Sequence, residues 1–272
     1  MVTDSSRNEI HRTVGYGGAD EHEAGPRRVL LPDGRFVRRA RDWHLYDQYG
    51  DRYLDFWQSD GAAFLGHKPK GLSRLLKEEI DRGLWTPLPT VWPHRLKKAL
   101  RALADEIGCA ADKLRVVNGS AAAHRFETNR WFPLSDYRRS GGTSDESIDV
   151  VVPAPGAVLP QGGAIEELPA FTIAMLHNAT WALIGYLHGN EATERLVTAR
   201  ELPVPPAYER HGCWLIPNGT HTTVETWSEV RKRALSHRIV VPPDRFTPAV
   251  VPGIVTSAER SQWEELCHDW PE

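Results

Sequence analysis

Cysteine is scarce in this chain of 272 residues: only Cys109, Cys213 and Cys267, far apart, with no Cys-x-x-Cys pair. That spacing excludes a disulfide scaffold and a zinc ribbon. It points to free, mostly structural thiols in a reducing, cytoplasmic setting. An excess of charge of one sign is also lacking, the formal net charge being −3. Neither nucleic acid nor an anionic membrane surface is therefore expected as a partner. No Gly-x-Ser-x-Gly elbow, P-loop or dinucleotide fingerprint stands in the sequence. Met1 to Arg12 is polar and has no apolar signal-peptide core. One long stretch, Leu168 to Leu187, carries no Asp, Glu, Lys or Arg. Pro169, Thr172, His177, Asn178 and Thr180 interrupt it, so a buried helix of an α/β protein is expected there and no membrane span.

What is present begins with turn signals. Pro32-Asp33-Gly34 separates Val29–Leu31 from Arg35–Val37, and Gln48-Tyr49-Gly50-Asp51 separates His44–Asp47 from Arg52–Phe56. The pattern predicts a small antiparallel meander. Leu72, Leu75, Leu76 and Ile80 share a helical face that ends near Gly83; Leu96, Leu100, Leu103 and Ile107 share another, ending at Gly108. Both stripes are expected to face the core. Leu114–Val117 reads as a strand ending in Asn118-Gly119-Ser120-Ala121. A helix through Ala122, Ala123, Phe126 and Trp131 is expected next, then a strand at Ile148–Val152 and an apolar helix over roughly 170–188 closed by Gly189.

The last third predicts strands at Trp214–Ile216 and Arg238–Val241. Helices open at two capping-box matches, Thr226-x-x-Glu229 and Thr256-x-x-Glu259. The ten tryptophans predict aromatic-rich packing. His211, Cys213 and His221 lie close in sequence but match no zinc spacing, and structural or surface roles are expected for them.

Gly50-Asp51-Arg52-Tyr53-Leu54-Asp55-Phe56, Gly61-Ala62-Ala63 and Leu65-Gly66-His67-Lys68-Pro69 form a long ordered pattern. It resembles the opening of the class III aminotransferases, fold-type I proteins that use pyridoxal 5'-phosphate (PLP). A second segment, Val116-Val117-Asn118-Gly119-Ser120-Ala121-Ala122, stands where that family places its phosphate-binding turn. A small-residue turn at a helix N-terminus offers free N–H groups to an anion. The resemblance thus implies a residual phosphate site at Gly119, Ser120 and Ala121, although Ala replaces the family's Glu. The C-terminal layout, with Tyr208-Glu209-Arg210-His211-Gly212 before a strand, is similar to the family's small domain.

Several family features have no counterpart. No aromatic–His pair follows the turn. Asp149 precedes Val150–Val152 without the context of the family's ring-nitrogen Asp. The Schiff-base lysine is not found: the chain holds only Lys68, Lys70, Lys77, Lys97, Lys98, Lys113 and Lys232, none in a stretch like the family's lysine motif. PLP acts as an electron sink only when imine, phosphate and ring nitrogen are all held.

The resemblance implies an α/β fold: a reduced PLP-dependent transferase (fold-type I) architecture, a mixed sheet flanked by helices, with a smaller α/β lobe from both chain ends. The expected division is an arm at 1–27, an N-terminal β meander at 28–70, a reduced cofactor-type domain at 71–190 and a C-terminal α/β domain at 191–272. A homodimer is implied, with a full-length aminotransferase as a further partner. Three functions stay open: a protein without transaminase activity in a binding, regulatory or partner role; an active PLP enzyme with a relocated or partner-supplied lysine; and a PLP-independent enzyme using His67, His124 or Asp60 as acid–base groups.

Overall fold

A computed structural model describes residues 31, 34–69, 71–83, 90–112, 114–117, 130–131, 148–152, 168–218 and 223–270. Alternating strand and turn residues build the N-terminal meander: β1 (Val37–Arg41), β2 (His44–Asp47) and β3 (Arg52–Asp55), joined antiparallel. Arg35 and Phe36 precede the first strand instead of lying in it. The fourth strand of this sheet is β9 (Ile239–Val240), which pairs parallel to β3 through Leu54↔Ile239 and Asp55↔Val240. The sheet is mixed because its last strand comes from the far end of the sequence. A second sheet joins β4 (Leu114–Val117), β5 (Arg130–Trp131) and β6 (Ile148–Val151), all parallel, with β6 in the centre. A third, antiparallel, joins β7 (Tyr208–His211), β8 (Trp214–Pro217) and β10 (Ala249–Val250).

Six helices accompany them among the described residues: α1 (Leu72–Asp81), α2 (Trp92–Ile107), α3 (Ala170–His188), α4 (Asn190–Glu201), α5 (Val224–Ser236) and α6 (Ser257–His268). The α2 stripe behaves as predicted: Leu96, Leu103 and Ile107 are buried against Ile173, Leu176 and Leu183 of α3. Each such side chain contributes roughly 2 kcal/mol by leaving water. This packing covers a face of α3, a helix long and apolar enough to cross a membrane. A second core gathers Leu54, Phe56 and Phe64 from the N-terminal segment with Trp214, Trp227, Trp263 and Trp270 from the C-terminal one. Phe56 and Trp263 stack at 4.0 Å, nearly parallel. The tryptophan richness is thus largely core.

Four expectations are corrected. The α1 stripe does not face the core as a unit: Leu72, Leu75 and Leu76 are half-buried and Ile80 is exposed. The helix packs on α3 from one side, and its buried residue is Glu79, whose Oε1 accepts from Arg82 (2.8 Å). Trp131 lies in β5, because its backbone pairs with β6 in register with Asp149; 122–129 lie outside the described residues. Helix α5 starts three residues earlier than Thr226-x-x-Glu229 suggests: the Thr223 hydroxyl accepts from the Thr226 N–H, so Thr223 is the cap. Finally, α4 and β7 form within 190–211, where no helix or strand was expected. The Thr256–Glu259 capping box at α6 is present in both directions.

Candidate functional site

The segment that follows β3 is built as a cradle. Gln58, Ser59 and Asp60 have φ of 51°, 50° and 58°, and Gly61 follows at 81°. Three consecutive non-glycine residues in the left-handed region cost roughly 1–2 kcal/mol each. Their surroundings must therefore fix them. Asp55, buried at the end of β3, accepts from the N–H groups of Trp57 (2.8 Å) and Gln58 (2.9 Å) through Oδ1, while its Oδ2 accepts from His67 Nε2 (2.8 Å). Gln58, fully buried, donates through Nε2 to the carbonyls of Asp55 and Val250. Val250 N–H in turn donates to Phe56 O (2.6 Å).

The organising group is Arg195 of α4, a fully buried guanidinium. Its Nε donates to Val251 O (2.8 Å), Nη1 to Phe64 O (2.5 Å) and Nη2 to Gln58 Oε1 (3.1 Å). It also lies 3.8 Å above the Phe64 ring centroid and 5.4 Å from that of Trp43. Trp43 Nε1 donates to the same Phe64 carbonyl (3.0 Å). Two glycines complete the cradle. A Cβ at Gly61 would run into the Trp214 ring, and one at Gly66 would sit 3.1 Å from Asp42 O. The cation is solvated by carbonyl dipoles and an aromatic face, and its fork is consumed in holding three chain segments together.

A second tie binds the meander to the C-terminus. Glu259 of α6 accepts from His44 Nε2 (2.8 Å), pairs with Arg52 (2.9 Å), and caps its own helix through the N–H and hydroxyl of Thr256. Burial pushes its carboxyl up, but the hydrogen bonds from His44 and Thr256 outweigh that and bring it down to about 2.

The sequence candidates can now be placed. Gly119, Ser120 and Ala121 lie outside the described residues, as do Lys70, Lys113, His124 and His221. His67 is held by Asp55 at the end of the cradle, and Asp60 accepts from Trp57 Nε1 (2.7 Å). Both face the same loop, where they fix its shape. Cys213 is buried between β7 and β8, whereas His211 is exposed beside Glu209 (3.9 Å). Lys68, Lys77, Lys97, Lys98 and Lys232 are all exposed. A Schiff-base lysine needs a desolvated or charge-crowded position to present a neutral amine. Among the described residues, no lysine stands in such a position. The reading from sequence missed Arg195, Gln58 and Trp43. One signal for Arg195 was available: Ala192, Arg195 and Ala199 fall on one face of α4, and all three are buried.

No family model matches the chain. It is 36% identical over 101 residues to a glutamate-1-semialdehyde 2,1-aminomutase of Heliobacterium modesticaldum, covering 36% of this chain and 22% of that protein. Against the enzyme of the same name from Clostridium acetobutylicum it is 30% identical over 91 residues, 34% and 21% of the two chains. An uncharacterized protein of Borreliella burgdorferi is 39% identical over 79 residues, 29% of each chain. The matches thus span less than a third of the length of these curated relatives. In three dimensions the chain is similar to an ornithine aminotransferase from Plasmodium yoelii, with a TM-score of 0.50 at 10% identity, covering 87% of this chain and 93% of that one. An N-acetylornithine aminotransferase from Stenotrophomonas maltophilia gives 0.50 at 11% identity, covering 87% and 95%. Those likenesses show the fold, as the sequence pattern led us to expect. Partial sequence likeness to the aminomutases and a fold shared with the aminotransferases together make the chain similar to class III aminotransferases.

Proposed function

We propose that this chain is a class III aminotransferase-like protein that works without transaminase chemistry, by binding: as a regulatory protein or as the partner of a full-length aminotransferase, in a reducing, cytoplasmic setting. The observation that carries the reading is the exposure of every described lysine. A solvated ammonium offers neither the nucleophile for an imine nor a base at a substrate carbon. The cradle supports the same reading. Arg195, His67 and Asp60 have the chemistry to meet a substrate carboxylate or proton, yet each is engaged in holding the loop. Self-association as a homodimer is part of the proposal, through the fold.

The test is a visible absorption spectrum of the purified protein with PLP, before and after borohydride reduction, with peptide mass spectrometry. No chromophore and no specific adduct is the expected result. A reduced phosphopyridoxyl group on a single lysine, whether of this chain or of a co-purified partner, would sink the reading and favour an active PLP enzyme with a relocated or partner-supplied lysine.

A further inference from the structure

The N-terminal sheet ends in a basic edge. Strand β1 has one neighbour, β2, and no strand on its other side among the described residues. Every second residue of an antiparallel edge strand turns its N–H and C=O away from its neighbour, and such groups template the addition of another strand. Arg38, Arg39 and Arg41 are exposed along it. The surrounding arginines are matched by acids: Arg35 by Asp47 (2.9 Å) and Asp51 (2.6 Å), Arg52 by Glu259 (2.9 Å), Arg238 by Asp51 (3.1 Å). The β1 arginines are matched less well. Arg38 has no carboxylate partner among the described residues, Arg39 lies over the Tyr46 ring (4.1 Å), and Arg41 reaches only Asp42, at 3.6 Å in open solvent. Among the described residues, Asp47, Asp51 and Glu259 are taken by these pairs, which leaves a local positive excess in a chain whose net charge is −3. Apolar surface lies next to it: Phe36 is 67% exposed and Val37 45% exposed. A register irregularity between Val37 and Arg39 breaks the regular edge without closing it.

We propose that β1 is a docking strand for an extended acidic peptide of a partner protein, which adds to the sheet edge through its backbone and meets Arg38, Arg39 and Arg41 with carboxylates. Charge complementarity selects the acid. The open ladder selects a polypeptide over a nucleic acid, which has no amide edge to offer. This inference is independent of whether the chain binds PLP, so the spectral test above and the test below can fail separately.

The probe is a fluorescein-labelled peptide of alternating glutamate and valine, titrated with the full chain by fluorescence anisotropy at low and physiological salt. The controls are the same peptide with lysine for glutamate, the acidic peptide N-methylated at alternate residues, and an oligouridylate of equal charge. The acidic peptide is expected to bind and to weaken with salt, with the lysine peptide silent. Binding should fall by about tenfold or more in the Arg38→Glu/Arg39→Glu/Arg41→Glu variant, whose folding is checked by circular dichroism. The N-methylated peptide should lose binding even to the unaltered protein, which tests the backbone ladder without any protein variant. Three results would overturn the proposal: no binding of the acidic peptide, equal binding of its N-methylated form, or stronger binding of the oligouridylate.

Discussion

Replacing Arg195 by methionine should unlock the cradle, and its cost can be worked from the contacts. The thioether fills much of the guanidinium's stem volume but donates nothing. Phe64 O keeps the Trp43 indole as a donor; Val251 O and Gln58 Oε1 lose the Arg195 donors that served them. Two buried acceptors left without partners cost about 1–3 kcal/mol each. The lost contact with the Phe64 face adds about 1 kcal/mol. Against this stands the relief of a buried cation whose hydrogen bonds reach carbonyl and amide oxygens and no carboxylate. The net expectation is a loss of about 3 kcal/mol, or roughly 6–12 °C in Tm for a chain of this length. Urea unfolding followed by tryptophan fluorescence reads it directly, since Trp43 and Trp214 border the site. Arg195→Lys should recover less than half of the loss, because a single ammonium cannot span three acceptors placed for a planar fork. A double-mutant cycle with Gln58→Leu should show coupling of about 1 kcal/mol. A methionine variant within about 1 kcal/mol of the unaltered protein would refute the view that this guanidinium holds the cradle.

Three further outcomes are expected. Glu259 is held down to about 2 in the folded chain against 4.5 for the ordinary carboxyl, so it favours folding above the ordinary value and loses that contribution as pH falls from about 4.5 to about 2. Glu259→Gln should lower stability at neutral pH and flatten the acid limb of a Tm-versus-pH curve; an unchanged limb would count against the His44–Glu259 tie. Gly61→Ala places a Cβ against the Trp214 ring at φ +81°, and about 2–3 kcal/mol of destabilisation by urea denaturation is expected. Thr223→Ala should cost about 1 kcal/mol, whereas Thr226→Ala should cost far less; the reverse order in thermal melts would return the α5 cap to Thr226.

The legible parts of the fold were those written in local pattern. Helices α2 and α3, the β2–β3 hairpin and the α6 capping box each carry their own periodicity or cap within a few residues. What escaped was decided by distant partners. Trp131 sits in a strand because β6 is beside it, and Ile80 is exposed because α1 packs broadly, among the described residues, on α3 alone. Position of the candidate loop was legible from Gly50–Phe56 and Leu65–Pro69, but its fixing was not. Arg195 lies far along the chain in a helix that reads as polar, and its place between Ala192 and Ala199 on one face is the sole local sign of its burial. The start of α5 was misplaced because Thr223 and Thr226 both suit a cap, and only the hydroxyl geometry separates them.

The parallel pairing of β3 with β9 sets the order in which this protein can be made. Leu54 and Asp55 leave the ribosome long before Ile239 and Val240 exist to cover them. Until then the nascent meander exposes the inner edge of β3, along with Phe56 and Phe64, whose packing partners come from residues beyond 185. Closing so long a loop is entropically late and intrinsically slow, and an unpaired apolar strand is prone to wrong association meanwhile. Newly synthesised chains should therefore depend on a chaperone, or on slow translation, far more than the finished molecule's stability would suggest.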